Sequence, residues 1–169
     1  TPQELAPFLK AGPELLLDPF GLPDMQVAVA RLQQAIERRE TVGIFGDFDT
    51  DGVTATALLH QALAGYGLPV APYIPHRVEE GHGLNPGAVT VLRDQGVSLL
   101  ITVDCGVSSL AEVAQARSYG MDTIITDHHI PPAHLPPALA IVNPRVPGAD
   151  YPFLHLTGVG LAFKLAQGL

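Results

Sequence analysis

Short apolar runs alternate with longer amphipathic stretches along most of this chain, and that rhythm leaves few folds open. Residues 42–45, 70–74, 99–103, 123–126 and 140–142 read as buried strands. Residues 24–39, 53–66, 85–95, 108–119 and 161–167 read as helices. Pro23-Asp24 marks the start of the first, and Ser108 can cap the fourth. Asn85-Pro86 opens the third, with a capping side chain followed by proline in the first turn. Strands and helices in this order predict an α/β fold, an open, mainly parallel sheet with helices on both faces. Residues 1–23, rich in Pro and Leu, read as an irregular lead-in to one domain over 24–169.

The 169 residues suffice for one domain, which would bury roughly 70% of its unfolded surface. With 47% hydrophobic and 15% charged residues the chain is globular in composition. No apolar run approaches the roughly 18 residues of a membrane span. Thr1 to Lys10 lacks the basic start and apolar core of a signal peptide. The single cysteine rules out an internal disulfide and fits a cytoplasmic location. A net charge of −8, with nine scattered Lys and Arg, is the reverse of the basic stripe typical of nucleic-acid enzymes. Clustered acids that hold cations, or a strand-binding surface outside this sequence, would reconcile the two.

Ligands of open α/β sheets bind outside the carboxyl ends of the strands, so the residues just after each strand carry the functional information. Residues 42–45 run into Gly46-Asp47-Phe48-Asp49-Thr50-Asp51-Gly52, 99–103 into Asp104-Cys105-Gly106, and 123–126 into Asp127-His128-His129. Each cluster has a plain alternative. The first fits a solvated turn capping the next helix, and Asp104 alone fits a turn residue. Asp127-His128-His129 leans toward function, because adjacent histidines beside an acid are common ligand material. Together at one sheet edge they point to metal, since crowded like charges repel by several kcal/mol unless a cation intervenes.

Two lookalikes fail. An EF-hand loop opening at Asp47 needs Glu at its twelfth position, where Leu58 stands, and is entered from a helix. Haloacid dehalogenase-type phosphatases need Thr or Val at the fifth place, which is Asp51. Carboxylates and imidazoles without thiolates favour Mn²⁺ or Mg²⁺ over structural zinc. The number of candidate ligands suits two ions about 3.5–4 Å apart, placed for in-line attack at phosphorus, with Asp104 as the bridging carboxylate. Gly52-Val53-Thr54 opens a helix whose free N–H groups make an anion site. In the loop 75–85, Arg77 can grip a phosphate in two-pronged fashion, or else is a surface arginine on a flexible connection. His82 reads as a polar loop residue, and Cys105 as a small buried side chain and no nucleophile.

In order and spacing, residues 47–52, 102–106 and 127–129 resemble the first three motifs of the DHH phosphoesterases. Over nearly its whole length the chain is similar to the RecJ family within them, bacterial single-strand-specific 5′-to-3′ DNA exonucleases. Asp18-Pro19-Phe20 with Asp24-Met25, the stretch from Arg77 to Pro86, Asn143-Pro144 and Thr157-Gly158-Val159-Gly160-Leu161-Ala162-Phe163 extend the likeness. The resemblance implies a manganese-dependent hydrolase that releases 5′-mononucleotides from single-stranded DNA in recombination and repair, alongside single-strand-binding protein. It assigns Asp47, Asp49, Asp51, Asp104 and His128 to the metals and turns His129 toward the scissile phosphate. Asp127 is left to orient its neighbours, and Asp104, His128 and His129 form the catalytic set. His82 stands where many relatives have Tyr, and Cys105 where many have Asn.

The family's fourth motif, an aspartate completing the metal site, lies beyond the segment like 157–163, and a second domain and an OB-fold follow it. The chain is therefore expected to be the N-terminal part of a longer protein, with little nuclease activity by itself. An alternative in the same class is a DHH hydrolase of small phosphates: pyrophosphate, short oligonucleotides or a cyclic dinucleotide. An alternative in another class is an inactive relative that binds DNA or partners. Such relatives lose ligands, and every expected ligand within this span is present.

Overall fold

The computed structural model describes residues 5, 9, 10, 12 and 15–169, so much of the expected lead-in lies outside the described residues. One sheet is built from β1 (Thr41–Gly46), β2 (Val70–Tyr73), β3 (Val97–Val103), β4 (Asp122–Thr126) and β5 (Ala140–Val142). The strand order is β2-β1-β3-β4-β5, and every neighbouring pair is parallel. The main helices are α1 (Met25–Arg38), α2 (Thr50–Gly65), α3 (Pro86–Asp94), α4 (Leu110–Ser118) and α5 (Gly158–Gly168). Among the described residues no helix is long and apolar enough to cross a membrane.

The period of two along each strand feeds two separate cores. Val42, Ile44, Leu99, Ile101, Val103, Ile124 and Val142 pack under α1, α2 and α5. Phe45, Leu100, Ile125 and Ile141 pack under α3 and α4. Each such fully buried aliphatic side chain contributes about 1.5–3 kcal/mol. The chain travels one way across the sheet from β1 to β2 and the other way from β2 to β3. Right-handed crossovers therefore put α2 and α3 on opposite faces. Their divergence opens a crevice between the carboxyl ends of β1 and β3, the switch point where ligands bind in such sheets.

Four helix starts differ from the sequence-based expectation. Helix α1 begins at Met25, but Asp24 is left-handed (φ 52°) and makes no side-chain cap. Its carboxylate instead accepts from the Ile141 N–H at 3.0 Å, tying α1 to β5. Helix α2 begins at Thr50 rather than Val53, because Asp49 caps it by accepting from the Gly52 N–H at 3.0 Å. The anion expected at that helix start is thus the protein's own Asp49. Helix α4 begins at Leu110, with Ser109 rather than Ser108 at its cap position and no side-chain cap. Helix α5 begins at Gly158, three residues early, because Thr157 caps it and the flexible glycines hide the turn from a propensity reading. Asn85 caps α3 as expected, accepting from the Ala88 N–H at 2.8 Å. Within the described part of the lead-in, Asp18 accepts from the Phe20 N–H at 2.9 Å and orders a single turn at Pro19–Gly21.

Candidate metal centre

The sheet register carries the acids to one line. The parallel ladder continues one residue past each strand: the Asp47 N–H donates to Val103 O, the Asp104 N–H to Thr126 O and the Asp127 N–H to Val142 O. Three backbone positions on neighbouring strands therefore share one edge, as the strand-end pattern predicts. At the opposite edge, Arg31 holds Glu40 and Asp122, each at 2.6 Å. Among the described residues no Lys or Arg pairs with Asp47, Asp49, Asp51, Asp104 or Asp127. Histidines are their only basic ion-pair partners there.

Asp104, on the central strand, is the focus. It is 2% exposed and adopts a left-handed backbone (φ 60°), a strain of about 1–2 kcal/mol for a residue with a Cβ. Its Oδ1 lies 3.0 Å from His128 Nε2 as an ion-pair contact, and this buried oxygen has no hydrogen-bond partner. Burial, then the charges of Asp51 and Asp49, push its carboxyl up to about 7. Such an oxygen fits a cation as its missing neighbour. Asp104, His128 and His129 each present one ligand atom, all within 4.8 Å of one another. His129 thus stands among the donors as well as toward the cleft.

Of the first cluster, Asp51 reaches this focus through His128, while the compact donor group among the described residues includes none of Asp47, Asp49 and Asp51. Asp51 Oδ2 lies 3.8 Å from His128 Nε2, and both oxygens of Asp51 accept amides from the start of α5. The Gly52 amide holds the Asp49 carboxyl below its ordinary range, outweighing burial. Asp47 accepts from the Phe48 N–H at 2.8 Å and lies 3.0 Å from His82 Nδ1. Gly46 and Gly52 make this packing possible: a Cβ on Gly52 would stand 2.3 Å from Asp47 O, and one on Gly46 2.0 Å from Thr56 Oγ1.

Asp127 ties the turns after β3 and β4 together. It is 1% exposed; Oδ2 accepts from the Val107 N–H at 2.9 Å, while Oδ1 accepts from the His129 N–H at 3.0 Å and faces His129 Nδ1 at 2.7 Å. That pairing leaves His129 Nε2 free of Asp127. Burial works to lower the His129 imidazole, but the Asp127 hydrogen bond and charge outweigh it and hold it above its ordinary range. Buried Asn143 donates to the His129 carbonyl at 3.0 Å, bracing the same turn.

A cleft of about 450 Å³ opens beside these groups, lined by Asp47, His82, Asp104, Ser108, Asp127 and His129 among others. His82, Gly83 and Leu84 of the loop 75–85 form one wall. Glu80 staples the loop, accepting from Tyr73 Oη and the His76 N–H at 2.7 Å and from Asn85 Nδ2 at 3.0 Å. Arg77 lies over the Phe48 ring, 5.3 Å from its centroid, and His82 tilts against the same ring at 4.2 Å. Cys105 is buried and its thiol is pushed well above the ordinary range by burial, which bears out a packing role. Spacing alone gave His82 and Glu80 no role at the centre; the glycines at 81 and 83 and the polar density of the loop were the available signals. Asn143 and Thr157-Gly158 stood out only through the resemblance.

The chain matches the DHH family, N-terminal domain, over residues 41–169. It is 46% identical over 152 residues to the single-stranded-DNA-specific exonuclease RecJ of Bacillus subtilis, covering 90% of this chain and 19% of that protein. To RecJ of Escherichia coli it is 42% identical over 149 residues, covering 88% and 26%. The structure superposes on exonuclease RecJ bound to manganese with a TM-score of 0.79 at 37% identity, covering 87% of this chain and 37% of that one. On Thermus thermophilus RecJ in complex with Mn²⁺ the TM-score is 0.73 at 33% identity, covering 87% and 20%. The chain thus spans about a quarter or less of the length of these curated relatives.

Proposed function

The chain belongs to the DHH family, and from that membership and the geometry above we propose that it is the metal-binding catalytic part of a 5′-to-3′ exonuclease that hydrolyses single-stranded DNA to 5′-mononucleotides in recombination and repair. The observation that carries the reading is the buried Asp104 Oδ1, without a hydrogen bond and 3.0 Å from His128 Nε2, which Asp51 also approaches. Oxygen and imidazole donors without thiolate fit Mn²⁺ or Mg²⁺. Asp47, Asp49, Asp51, Asp104 and His128 would hold two such ions. When bound, the ions supply charge stabilisation on phosphoryl oxygens and a water of lowered pKa.

The chain's own groups do the rest. Asp127 keeps His129 in one orientation, with Nε2 available to a phosphate oxygen as a hydrogen-bond donor. Arg77, held over the Phe48 ring, would supply a further cationic grip for the substrate backbone. The aromatic ring of Phe48 with His82 beside it gives the strand an apolar face at the cleft.

The test uses the full-length protein with Mn²⁺ on three substrates: a long 5′-phosphorylated single strand, a dinucleotide and pyrophosphate. Processive release of mononucleotides from the long strand is expected, with Asp104→Asn reducing it at least about 100-fold, the scale of losing a group essential to charge stabilisation. Unchanged activity in Asp104→Asn refutes the site. Efficient turnover of pyrophosphate or the dinucleotide with none on the long strand replaces the exonuclease reading by a small-phosphate hydrolase.

A further inference from the structure

Thr157-Gly158-Val159-Gly160 starts α5 beside the centre. Asp51 Oδ2 accepts from the Gly158 N–H and Asp51 Oδ1 from the Val159 N–H, both at 2.7 Å, across more than 100 residues of chain. Thr157 takes the next amide, its Oγ1 accepting from the Gly160 N–H at 3.2 Å. The first amides of a helix are donors without intrahelical partners and carry partial positive charge. Here two of them aim both oxygens of one acid in a crowded set. Gly158 also touches the focus of the centre: a Cβ there would stand 2.5 Å from Asp104 Cβ and 2.7 Å from Asp104 Oδ1, the buried oxygen without a hydrogen bond.

Resting on the reading that this cluster holds divalent cations, we propose that the start of α5 is a positioning element of the metal centre. The Gly158 and Val159 amides set the orientation of Asp51, and the bare Gly158 lets the helix close against Asp104. Each carboxylate oxygen has two acceptor sites, so Asp51 held this way still faces His128 with capacity for a cation. The arrangement explains why glycine stands at 158 although its φ does not require it: the constraint is the neighbouring carboxylate. Contacts one step outside a metal's ligands typically govern 10–100-fold in affinity.

Proline at Val159 removes one of the two amides while remaining tolerable in a first helical turn. Alanine at the same place loses comparable packing and keeps the amide. Mn²⁺ binding to full-length Val159→Pro and Val159→Ala, measured by titration calorimetry and by the Mn²⁺ electron paramagnetic resonance line shape, separates position from packing. We expect Val159→Pro to bind about 10-fold more weakly than Val159→Ala with an altered line shape, and Val159→Ala to stay within about twofold of wild type. Gly158→Ala, which keeps its amide but intrudes on Asp104, should weaken binding by a similar factor of about 10. Equal affinity and line shape for the proline and alanine variants overturn the positioning role. Should melting in EDTA show Val159→Pro unfolded, Gly158→Ala decides, and wild-type affinity there overturns the inference. A wild-type protein that binds no Mn²⁺ instead overturns the underlying reading, and this inference with it.

Discussion

Asp104 is placed for a cation at a cost to the metal-free fold, and that cost is measurable. Its carboxyl moves from 3.8 to about 7 on folding, through burial and the neighbouring Asp51 and Asp49 charges. Between those values the native state binds the proton and the unfolded chain does not, so stability falls as pH rises through the window and the full penalty applies above about 7. At about 1.4 kcal/mol per pKa unit the penalty is about 4 kcal/mol, with relaxation of the exposed neighbours reducing it to about 2–4 kcal/mol. Asparagine has nearly the same shape and no charge at any pH. Asp104→Asn in EDTA should therefore melt about 4–16 °C above wild type at pH 8, given about 2–4 °C per kcal/mol for a domain of this size. The gain should shrink to nothing by about pH 4. Saturating Mn²⁺ should reverse the order, raising wild type by about 2.7 kcal/mol at a hundredfold excess over its dissociation constant and the variant by far less. Scanning fluorimetry across pH, with and without metal, reads both effects. A variant no more stable than wild type at pH 8 in EDTA, or a gain that persists unchanged at low pH, would refute the argument from charge.

Three further outcomes follow from individual contacts. Asp127→Asn weakens the hydrogen bond and removes the charge that together outweigh burial at His129, so the imidazole midpoint followed by NMR should fall and full-length turnover should drop about 100-fold, the lower range for losing a positioned donor to a charged oxygen. An unmoved midpoint disproves the coupling. Tyr73, pushed up to about 12 chiefly by its hydrogen bond to Glu80, should titrate nearer its ordinary value in Glu80→Gln, as followed by ultraviolet absorbance; no change would mean that the loop 75–85 is held by other contacts. Gly52→Ala would place a Cβ 2.3 Å from Asp47 O and should cost about 3 kcal/mol or more in chemical denaturation, against about 1 kcal/mol gained at an unobstructed helical glycine.

Much of this was legible because local signals and topology agreed. The strand runs, the Asn85 cap and the acids after each strand all follow from periods and cap chemistry that act over a few residues. The wholly parallel sheet then converts three strand ends into one edge. What escaped a local reading is long-range. Asp24 looks like a helix cap, but its carboxylate is claimed by Ile141, 117 residues away. At the start of α2 the miss is local instead, since Asp49 accepts from the Gly52 N–H, one of the amides expected to be free. Ser109 stands at a cap position and caps nothing.

The same logic reaches the centre itself. Asp47, Asp49 and Asp51 alternate in sequence, yet each is held by a different part of the fold: Asp47 by its own turn with His82 alongside, Asp49 by the start of α2, and Asp51 by the start of α5. Three acids so close in sequence would, on a free loop, swing apart to lower their repulsion. Separate anchors, two of them helix starts with partial positive charge, hold each acid in place before any cation arrives, and so reduce the reorganisation that binding requires. That separation of anchors implies that single anchor losses weaken metal binding by similar modest factors, while losing two at once, as in Val159→Pro with His82→Ala, should exceed the product of the single effects. Strict additivity in Mn²⁺ affinity for that pair would mean that the acids do not share one site.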